Sequence, residues 1–577
     1  MVTLVLTKLN PLIIRFLIDD VLTPVMGDAY SEDSANRSLR LLGFCLIAMV
    51  GLSGTGALIG RFRLLMMRRA GASMVKEIRE HVYKHLQKLS LRFYESRQTG
   101  DIMSRLTGDV AALERLITNI SDRLLTDILN IVVTVGILFL LNWKLALVAL
   151  VPIPILVLTI YRFGKAIRPV YKTVRDKMGG IHTKLQDNIS GIRVIKAFNT
   201  EGREAKEFSL ENDDFFNEQM REVRLSAKTF PFIRFIDSLG VVAVTGLGGY
   251  MLLQPSPELT IGDLFAFNAF VLQLYNPIGA IFQMYNAALQ ALASGERVAE
   301  ILETEVDVGD DPDATELEAI QGKVEFENVV FHYEEKSPVL EGITLSASPG
   351  EIVALVGPSG AGKTSIINLL LRFYDPVEGQ VRIDGKDLKK VTQDSLRSQI
   401  AVVLQDPFLF NGTVAENIRY ARPEADMNDI ISAAASANAS EFIDSFADGY
   451  QTEIGERGVK LSGGQKQRIS LARAILTQRP VLILDEATSM IDSKSEYLIK
   501  QALDGLAGQR TTFVIAHRLS TIKHAHTINV LSGHKIVESG RHEELIALGG
   551  VYAEMVDSQF KLDREHPQRV EFDEMKA

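Results

Sequence analysis

The sequence predicts a multi-domain protein, with an all-α polytopic membrane domain followed by an α/β domain of the phosphate-loop type. Long uncharged segments fill the first half of the chain, whereas short apolar strands alternate with amphipathic helices after residue 310. The glycine-rich motif GPSGAGKTS at 357–365 lies between one such strand and a helix. A chain of 577 residues is also too long for a single hydrophobic core.

Several segments lack charge over the roughly 20 residues that a bilayer crossing needs. They are 41–60, 128–161, 238–257 and 264–295. The second holds only Lys144, beside Trp143, which predicts two helices joined by a tight turn at the membrane interface. A weaker first segment from residue 1 contains Lys8 and Arg15, and counting it predicts six crossings. Buried helices of a soluble protein are disfavoured, because such helices rarely lack charge on every face.

The loops after crossings two and four are long and basic. Residues 61–123 hold 13 Lys and Arg against 7 Asp and Glu, which predicts that these loops and the C-terminal domain lie in the cytosol. Apolar residues at helical spacing predict that the membrane helices continue into the cytosol. The turns are expected at FYESRQTGD (93–101) and FNTEGRE (198–204).

Composition sets further bounds. The single cysteine, Cys45, excludes an internal disulfide framework and a cysteine-based metal site. The first crossing lacks the charged start and the cleavage site of a secretory signal. The expected domains are a transmembrane domain at 1–308, a linker at 309–322, a nucleotide-binding domain at 323–560 and a charged, disordered tail at 561–577.

The glycine-rich motif indicates ATP binding. Its glycines let backbone N–H groups close around the β-phosphate, Lys363 reaches the β- and γ-oxygens, and the Thr364 hydroxyl is a ligand for Mg²⁺. The predicted ATP-binding residues of this loop are Gly357, Pro358, Ser359, Gly360, Ala361, Gly362, Lys363, Thr364 and Ser365.

Four further positions fit ATP hydrolysis. The strand RPVLILDEATS ends in Asp485, expected to reach the metal, and Glu486, expected to orient the attacking water. Taken alone, such an acidic pair is more often the start of a solvated loop. His517 leaves another strand as a γ-phosphate sensor or a capping residue. Gln405 ends a strand where it would bridge the metal to whatever lies beside the domain. Tyr333 would stack on adenine or pack at a core edge.

A second phosphate-binding element follows at KLSGGQ. Ser462, Gly463 and Gly464 lie where a helix begins, so free N–H groups and the positive end of the helix dipole would face outward. One ATP-binding domain therefore contains two elements that suit a phosphate.

Together these residues resemble the nucleotide-binding domain of ATP-binding-cassette (ABC) transporters, and nearly the whole chain resembles their exporter half-transporters, which include lipid A flippases and multidrug exporters. The matching motifs are the aromatic loop (Tyr333), Walker A (357–365), the Q-loop (Gln405), GERG (455–458), the signature (Leu461, Ser462, Gly463, Gly464 and Gln465), Walker B (481–485), the following Glu486, the D-loop (Ser489 and Asp492) and the switch His517. FYESRQTGDIMSRLTGDV, GIRVIKAFNTEGREAKEF and ALASGERV support the exporter subclass. The D-loop reads SMID where the family usually has SALD, and no elbow helix precedes the first crossing, so an incomplete or misplaced start is expected.

The resemblance implies a dimer in which each ATP lies between the phosphate loop of one copy and the signature helix of the other. It implies Mg²⁺ ligands at Thr364, Gln405 and Asp485, and catalytic roles for Glu486, His517, Lys363 and Gln405. The turns of the cytosolic loops would seat in grooves near the Q-loop.

The expected function is ATP-driven export or flipping of a lipid or hydrophobic compound across a bacterial cytoplasmic membrane, with no nucleic acid as partner. Intact catalytic positions favour a homodimer. A heterodimer, a peptide or other cargo, and an ATP-gated channel or regulator remain as alternatives, whereas a soluble ATPase does not fit the membrane crossings.

The sequence says less about the substrate. Polar residues along the last crossing would line a cavity or, equally well, serve as polar packing between helices. They are Gln273, Tyr275, Asn276, Gln283 and Asn286. Arg234 and Asp237, three residues apart in the fifth crossing, are expected to pair with each other, with a substrate role as the alternative.

Overall fold

The chain folds into two compact units. The computed structural model describes residues 2–26, 32–255, 257–334, 337–485, 497–498, 501–502, 505, 510–515 and 522–565. The first unit comprises Met1–Gln87 and Arg97–Thr304, and the second comprises Lys88–Ser96 and Glu305–Ala577. We call the second unit the cassette.

The described part of the first unit is helical. Its helices are Val2–Phe16, Leu17–Leu22, Thr23–Met26, Glu32–Leu86, Thr99–Ser104, Arg105–Asp109, Val110–Arg115, Leu116–Ser121, Asp122–Leu141, Trp143–Leu150, Pro152–Ser190, Ile192–Ala197, Glu201–Leu252 and Ile261–Glu303. At 55 residues, Glu32–Leu86 is about 80 Å long, far more than the roughly 30 Å of a bilayer core. The helix therefore extends well beyond a single crossing, as the sequence predicts.

Four helical segments among the described residues are long and apolar enough to cross a membrane. They are Asn36–Leu86, Leu124–Leu141, Trp143–Ser190 and Glu201–Leu252. The other two predicted crossings fall on Val2–Phe16, which a π-helical segment continues, and on Ile261–Glu303. The count of six crossings is consistent with these helices and stays a prediction.

The tight turn predicted beside Trp143 lies at Asn142. The Asn142 side chain accepts hydrogen bonds from the N–H groups of Lys144 at 3.0 Å and Leu145 at 3.1 Å, so it caps the next helix. Lys144 also pairs with Glu258 at 2.8 Å. Both expected loop turns form as well: one helix ends at Glu95 before the next begins at Thr99, and another ends at Ala197 before the next begins at Glu201.

A buried lysine joins three helices of the first unit. Lys8 is only 4% exposed. Its Nζ donates to Asn130 Oδ1 at 2.5 Å, to Thr134 Oγ1 at 2.5 Å and to Gln273 Oε1 at 2.8 Å. An ammonium group has three protons, so all its donors have acceptors. Lys8 therefore serves packing between helices.

The cassette is an α/β unit with two described sheets. Its strands are β1 Val324–Glu334, β2 Ser337–Ala347, β3 Ile352–Val356, β4 Glu378–Ile383, β5 Lys386–Asp387, β6 Ile400–Val403, β7 Val481–Asp485, β8 Thr511–Ile515, β9 Thr527–Ser532 and β10 Lys535–Gly540. Antiparallel strands in the order β2-β1-β4-β5 form one sheet. The other has the order β10-β9-β3-β8-β7-β6 and is parallel except for β10.

Helices cover the cassette sheets on the described part of the chain. They are Leu91–Glu95, Lys363–Leu370, Leu388–Lys390, Gln393–Arg397, Val414–Arg419, Met427–Ser436, Ser440–Asp444, Gly449–Gln451, Glu456–Gly458, Gly463–Leu476, His542–Leu548 and Val551–Glu565. The central strands are almost continuously apolar and buried, as parallel strands with covered faces require. The last helix continues into the start of the predicted tail, and residues 566–577 lie outside the described residues.

The predicted linker packs against the cassette. It contains no helix, as expected, but Leu317 is 5% exposed within a core cluster. Arg372, 2% exposed, donates to the Gly309 carbonyl at 2.9 Å and to Asp310 Oδ1 at 3.4 Å. Sequence composition misses this packing, because the anchoring arginine is about 60 residues away in the chain.

Candidate nucleotide site

The phosphate loop connects β3 to the helix Lys363–Leu370. Gly357, Gly360 and Gly362 have φ values of 152°, 82° and 97°, which side chains with a Cβ rarely adopt. The N-cap of this helix is Gly362, which has no side chain that could cap it. The first turn therefore has backbone N–H groups that an anion at the loop can accept from. These residues fit a bound phosphate.

Lys363 is held over this loop. It is 6% exposed, and its Nζ donates to the carbonyl oxygens of Gly357 at 2.8 Å and Pro358 at 3.0 Å. A phosphate oxygen carries the negative charge that a carbonyl lacks, so it would bind the ammonium group more strongly than these carbonyls do. The role of Lys363 at the β- and γ-oxygens stays a prediction.

The carboxyl edge of the parallel sheet gathers the other predicted groups. β6, β7, β8 and β3 are adjacent and parallel, so the phosphate loop after β3, Asp485 at the end of β7 and Gln405 just after β6 leave the sheet at the same edge. Gln405 is exposed and Asp485 is half-buried. Ligands of open α/β sheets bind at this edge. Glu486, Ser489, Asp492 and His517 lie outside the described residues.

Tyr333 lies beside the phosphate-loop helix. Its hydroxyl is 3.1 Å from Ser365 Oγ and accepts from Asn368 Nδ2 at 3.2 Å. The ring is half-buried at the edge of a core cluster and contacts Tyr374 edge-on, with the ring centroids 5.0 Å apart. The structure thus shows the packing contact, and stacking on adenine stays a prediction. The sequence interpretation missed Asn368 and Tyr374, for which the only signal was an aromatic pair after the loop helix, in LRFYD.

The signature sequence starts the helix Gly463–Leu476 with a reciprocal cap. Gln465 N–H donates to Ser462 Oγ at 3.3 Å, and Ser462 N–H donates to Gln465 Oε1 at 2.9 Å. The expectation that Ser462 offers its N–H to a phosphate is therefore corrected: that group is already bonded, whereas the hydroxyl proton has no acceptor within the part of the chain that the structure describes. Gly463 is exposed and Gly464 is buried, and neither N–H has a protein acceptor among the described residues. Leu461, 9% exposed, packs below them.

The signature helix is hydrogen-bonded to the chain on both sides of Gln405. Gln467 Nε2 donates to the Leu404 carbonyl at 3.4 Å, and Arg473 Nη1 donates to the Phe408 carbonyl at 3.1 Å. The GERG loop is fixed to the same helix, because Lys466 Nζ donates to the Arg457 carbonyl at 2.8 Å. Within the cassette, the Q-loop, GERG and the signature are thus one hydrogen-bonded group.

The polar residues of the last crossing have mixed surroundings. Gln273 accepts from Lys8, and Tyr275, 4% exposed, donates to the Ala149 carbonyl at 2.7 Å. Both contacts favour packing over a cavity lining in this conformation. Asn276 is exposed. The side chains of Gln283 and Asn286 lie outside the described part of the chain.

The expected pair between Arg234 and Asp237 does not form. Arg234 is exposed, whereas one buried oxygen of Asp237 has no hydrogen-bond partner within the described residues. The prediction was wrong because sequence spacing fixes neighbouring positions on a helix but not whether two side chains extend toward each other.

Comparisons with known proteins cover both units. Residues 1–278 match the ABC transporter transmembrane region, and residues 340–489 match the ABC transporter family. The chain is 38% identical over 541 residues to an ATP-dependent lipid A-core flippase of Syntrophus aciditrophicus, spanning 94% of this chain and 89% of the relative. It is 36% identical over 550 residues to a Bacillus subtilis ATP-binding/permease protein whose name assigns it provisionally to multidrug export, spanning 95% and 93%.

A solved structure is similar over the same extent. A bacterial Atm1-family ABC exporter with ATP bound matches with a TM-score of 0.80 and 30% identity, covering 96% of each chain. The similarity thus includes the helical unit and the cassette together.

Proposed function

The chain belongs to the ABC transporter family and is an ATP-hydrolysing membrane exporter, and we propose that it moves a lipid or another amphiphilic compound out of the cytoplasm as a homodimer. The relatives are bacterial proteins, named for lipid A-core flipping and for multidrug export. The cytoplasmic membrane is therefore the proposed location, with the cassette in the cytosol. The observation that carries the proposal is that one cassette contains both a phosphate loop and a separate signature helix whose start is exposed.

Each ATP would lie between two copies of the chain. The phosphate loop of one copy would hold the β- and γ-phosphates, and the signature helix of the other would donate from the Ser462 hydroxyl and from the Gly463 N–H. Both groups are at the exposed start of a 14-residue helix, where the dipole favours an anion. ADP lacks the γ-phosphate that these donors would contact, so hydrolysis would loosen the interface.

The hydrolytic groups would act from the carboxyl edge of the sheet. Thr364, Asp485 and Gln405 would hold Mg²⁺, which spreads the charge of the transferring phosphoryl group. Glu486 would orient the attacking water, with His517 near the γ-phosphate. Support for this arrangement comes from the parallel strands, which bring the phosphate loop, Asp485 and Gln405 to one edge.

The second cytosolic turn has an apolar surface suited to docking. Around the short helix Ile192–Ala197, the exposed fractions are 47% for Ile192, 61% for Val194 and 75% for Phe198. The cassette presents Phe410 and Tyr420 as a stacked, exposed aromatic pair close behind the Q-loop. We assign this pair as the seat for the turn of the second copy, since both surfaces would be removed from water together.

Transport in vesicles tests the proposed function. The purified chain would be reconstituted and screened with anionic lipids, zwitterionic lipids and hydrophobic cations for stimulation of phosphate release, followed by movement of fluorescent analogues of those that stimulate. Glu486→Gln is the control, expected to bind ATP but to release almost no phosphate. Stimulation without movement of any compound would favour a regulator or channel, and phosphate release that needs a second gene product would favour a heterodimer.

A further inference from the structure

A short helix from the first cytosolic loop is part of the cassette. Leu91–Glu95 belongs to the second compact unit, and Leu91 packs against a cassette core cluster. The Tyr374 hydroxyl donates to Glu95 Oε2 at 2.6 Å, and the Arg92 guanidinium lies 5.9 Å from the Tyr374 ring centroid. One tyrosine thus contacts a charged residue at each end of this helix.

Tyr374 belongs to an aromatic cluster that extends toward the phosphate loop. It is 3% exposed, and its ring contacts Tyr333 at 5.0 Å and Phe331 at 5.5 Å between centroids. Tyr333 in turn reaches Ser365, the last residue of the loop motif, at 3.1 Å. Contacts therefore run without a gap from Glu95 through two tyrosine rings to the nucleotide site.

We propose that Tyr374 is a positioning residue, which places Tyr333 and the start of the phosphate-loop helix according to the position of the Leu91–Glu95 helix. The inference rests on the proposed function, because it assumes that this loop moves during transport. The path from Glu95 to Ser365 passes through Tyr374 and Tyr333 and does not include Gln405. A displaced Glu95 would draw the Tyr374 hydroxyl with it and shift the edge-on ring against Tyr333.

In a closely packed aromatic cluster, one side chain cannot move without displacing its neighbours. A hydroxyl bonded to a carboxylate is a charge-assisted hydrogen bond, stronger than a neutral one. Burial, followed by the bond to Glu95, raises the pKa of Tyr374, so the hydroxyl keeps its proton at physiological pH. Edge-on aromatic pairs have a preferred geometry, so a shifted ring changes its neighbour instead of sliding freely.

The alternative is that Tyr374 only anchors the helix. Anchoring alone would lower the stability of the protein when the hydroxyl is removed, but it would leave nucleotide affinity unchanged. The two interpretations therefore differ in the affinity for ATP, which can be measured without any transport substrate.

The test uses the full chain in lipid vesicles and two matched variants. Tyr374→Phe removes the hydroxyl bonded to Glu95. Tyr552→Phe removes a hydroxyl that is also buried in the cassette but lies 2.7 Å from His542 Nδ1. We expect Tyr374→Phe to weaken binding of a fluorescent ATP analogue, and to raise the KM for ATP, by about threefold to tenfold with a smaller change in kcat. Tyr552→Phe should leave both values unchanged.

A double-mutant cycle completes the test. Glu95→Ala should weaken ATP binding by the same factor, and Glu95→Ala with Tyr374→Phe should be no worse than either single variant. Equal ATP affinity in wild type, Tyr374→Phe and Tyr552→Phe would overturn the inference, as would additive effects of the two substitutions. Because nucleotide binding is measured directly, failure to find a transported compound would count against the proposed function and not against this path.

Discussion

Asp109 and Arg297 form a bidentate ion pair in the first unit, with Arg297 Nε 2.8 Å from Asp109 Oδ2 and Nη2 2.5 Å from Asp109 Oδ1. Ser294 adds a third hydrogen bond to the same carboxylate at 2.8 Å. The two partners come from LTGDV in the first loop and SGERV after the last crossing, segments that the sequence interpretation used only to identify the exporter subclass. Their contact connects the first loop to the last helix of the unit, Ile261–Glu303.

Asp109→Asn should destabilise the protein. A neutral amide is a weaker acceptor for the Arg297 guanidinium than a carboxylate, and at 9% exposure the site has little water to replace the lost interaction. We therefore expect the free energy of unfolding to fall by about 2 kcal/mol. Asp214→Asn is the control, because Asp214 pairs with Lys177 at 2.6 Å on the exposed surface and such pairs contribute about 1 kcal/mol or less. Thermal unfolding in one detergent compares the variants. Equal unfolding midpoints for Asp109→Asn and Asp214→Asn would contradict a stabilising role of the ion pair between Asp109 and Arg297.

The same pair predicts a pH dependence. The hydrogen bond from Arg297 lowers the pKa of Asp109 below its usual value. A depressed folded pKa adds stability above the unfolded pKa of about 3.9, and this stability is lost as the pH falls through the folded value. The gap in stability between wild type and Asp109→Asn should therefore be constant near neutral pH and narrow only in acid. If the stability difference between wild type and Asp109→Asn narrowed above pH 6, a titratable group other than Asp109 would have to be responsible.

Gln465 should matter through the helix cap. Gln465→Ala removes the acceptor of the Ser462 N–H, which we expect to cost about 1 kcal/mol at the start of the signature helix and to lower phosphate release. Gln465→Glu keeps the cap but places a negative charge near the proposed γ-phosphate. Release should fall in both variants, whereas thermal stability should fall only in Gln465→Ala. Full activity in Gln465→Glu would show that no phosphate approaches this cap.

Much of the architecture was predictable because it depends on local patterns. The turn at Asn142 follows from a Trp–Lys pair between apolar runs, and the strand–loop–helix around Gly362 follows from glycine spacing. The links from Tyr374 to Glu95, and from Arg372 to the segment at 309–310, were not predictable, because they join residues far apart in the chain. Gln465 was matched to the signature motif, but its hydrogen bond to Ser462 needed coordinates.

Tyr275 should affect stability more than substrate choice. Tyr275→Phe removes the hydroxyl that donates to the Ala149 carbonyl, so we expect the free energy of unfolding to fall by about 1 kcal/mol. The order in which compounds stimulate phosphate release should stay unchanged. Tyr250→Phe, at a position 64% exposed, is the matched control and should change neither. The readouts are the unfolding midpoint and a panel of compounds in the phosphate-release assay. A different order of stimulating compounds in Tyr275→Phe would show that Tyr275 lines the substrate cavity, against this prediction.

Cross-linking between two differently tagged chains tests most directly whether ATP lies between two copies. One chain would carry Ser359→Cys and the other Ser462→Cys, both in a Cys45→Ala, Glu486→Gln background so that the native cysteine is absent and ATP persists. The account predicts that a disulfide between the two tagged chains forms in high yield with ATP and Mg²⁺ and in much lower yield with ADP. The absence of a cross-link between the two tagged chains with ATP and Mg²⁺, or the same yield with ATP, ADP and no nucleotide, would contradict it.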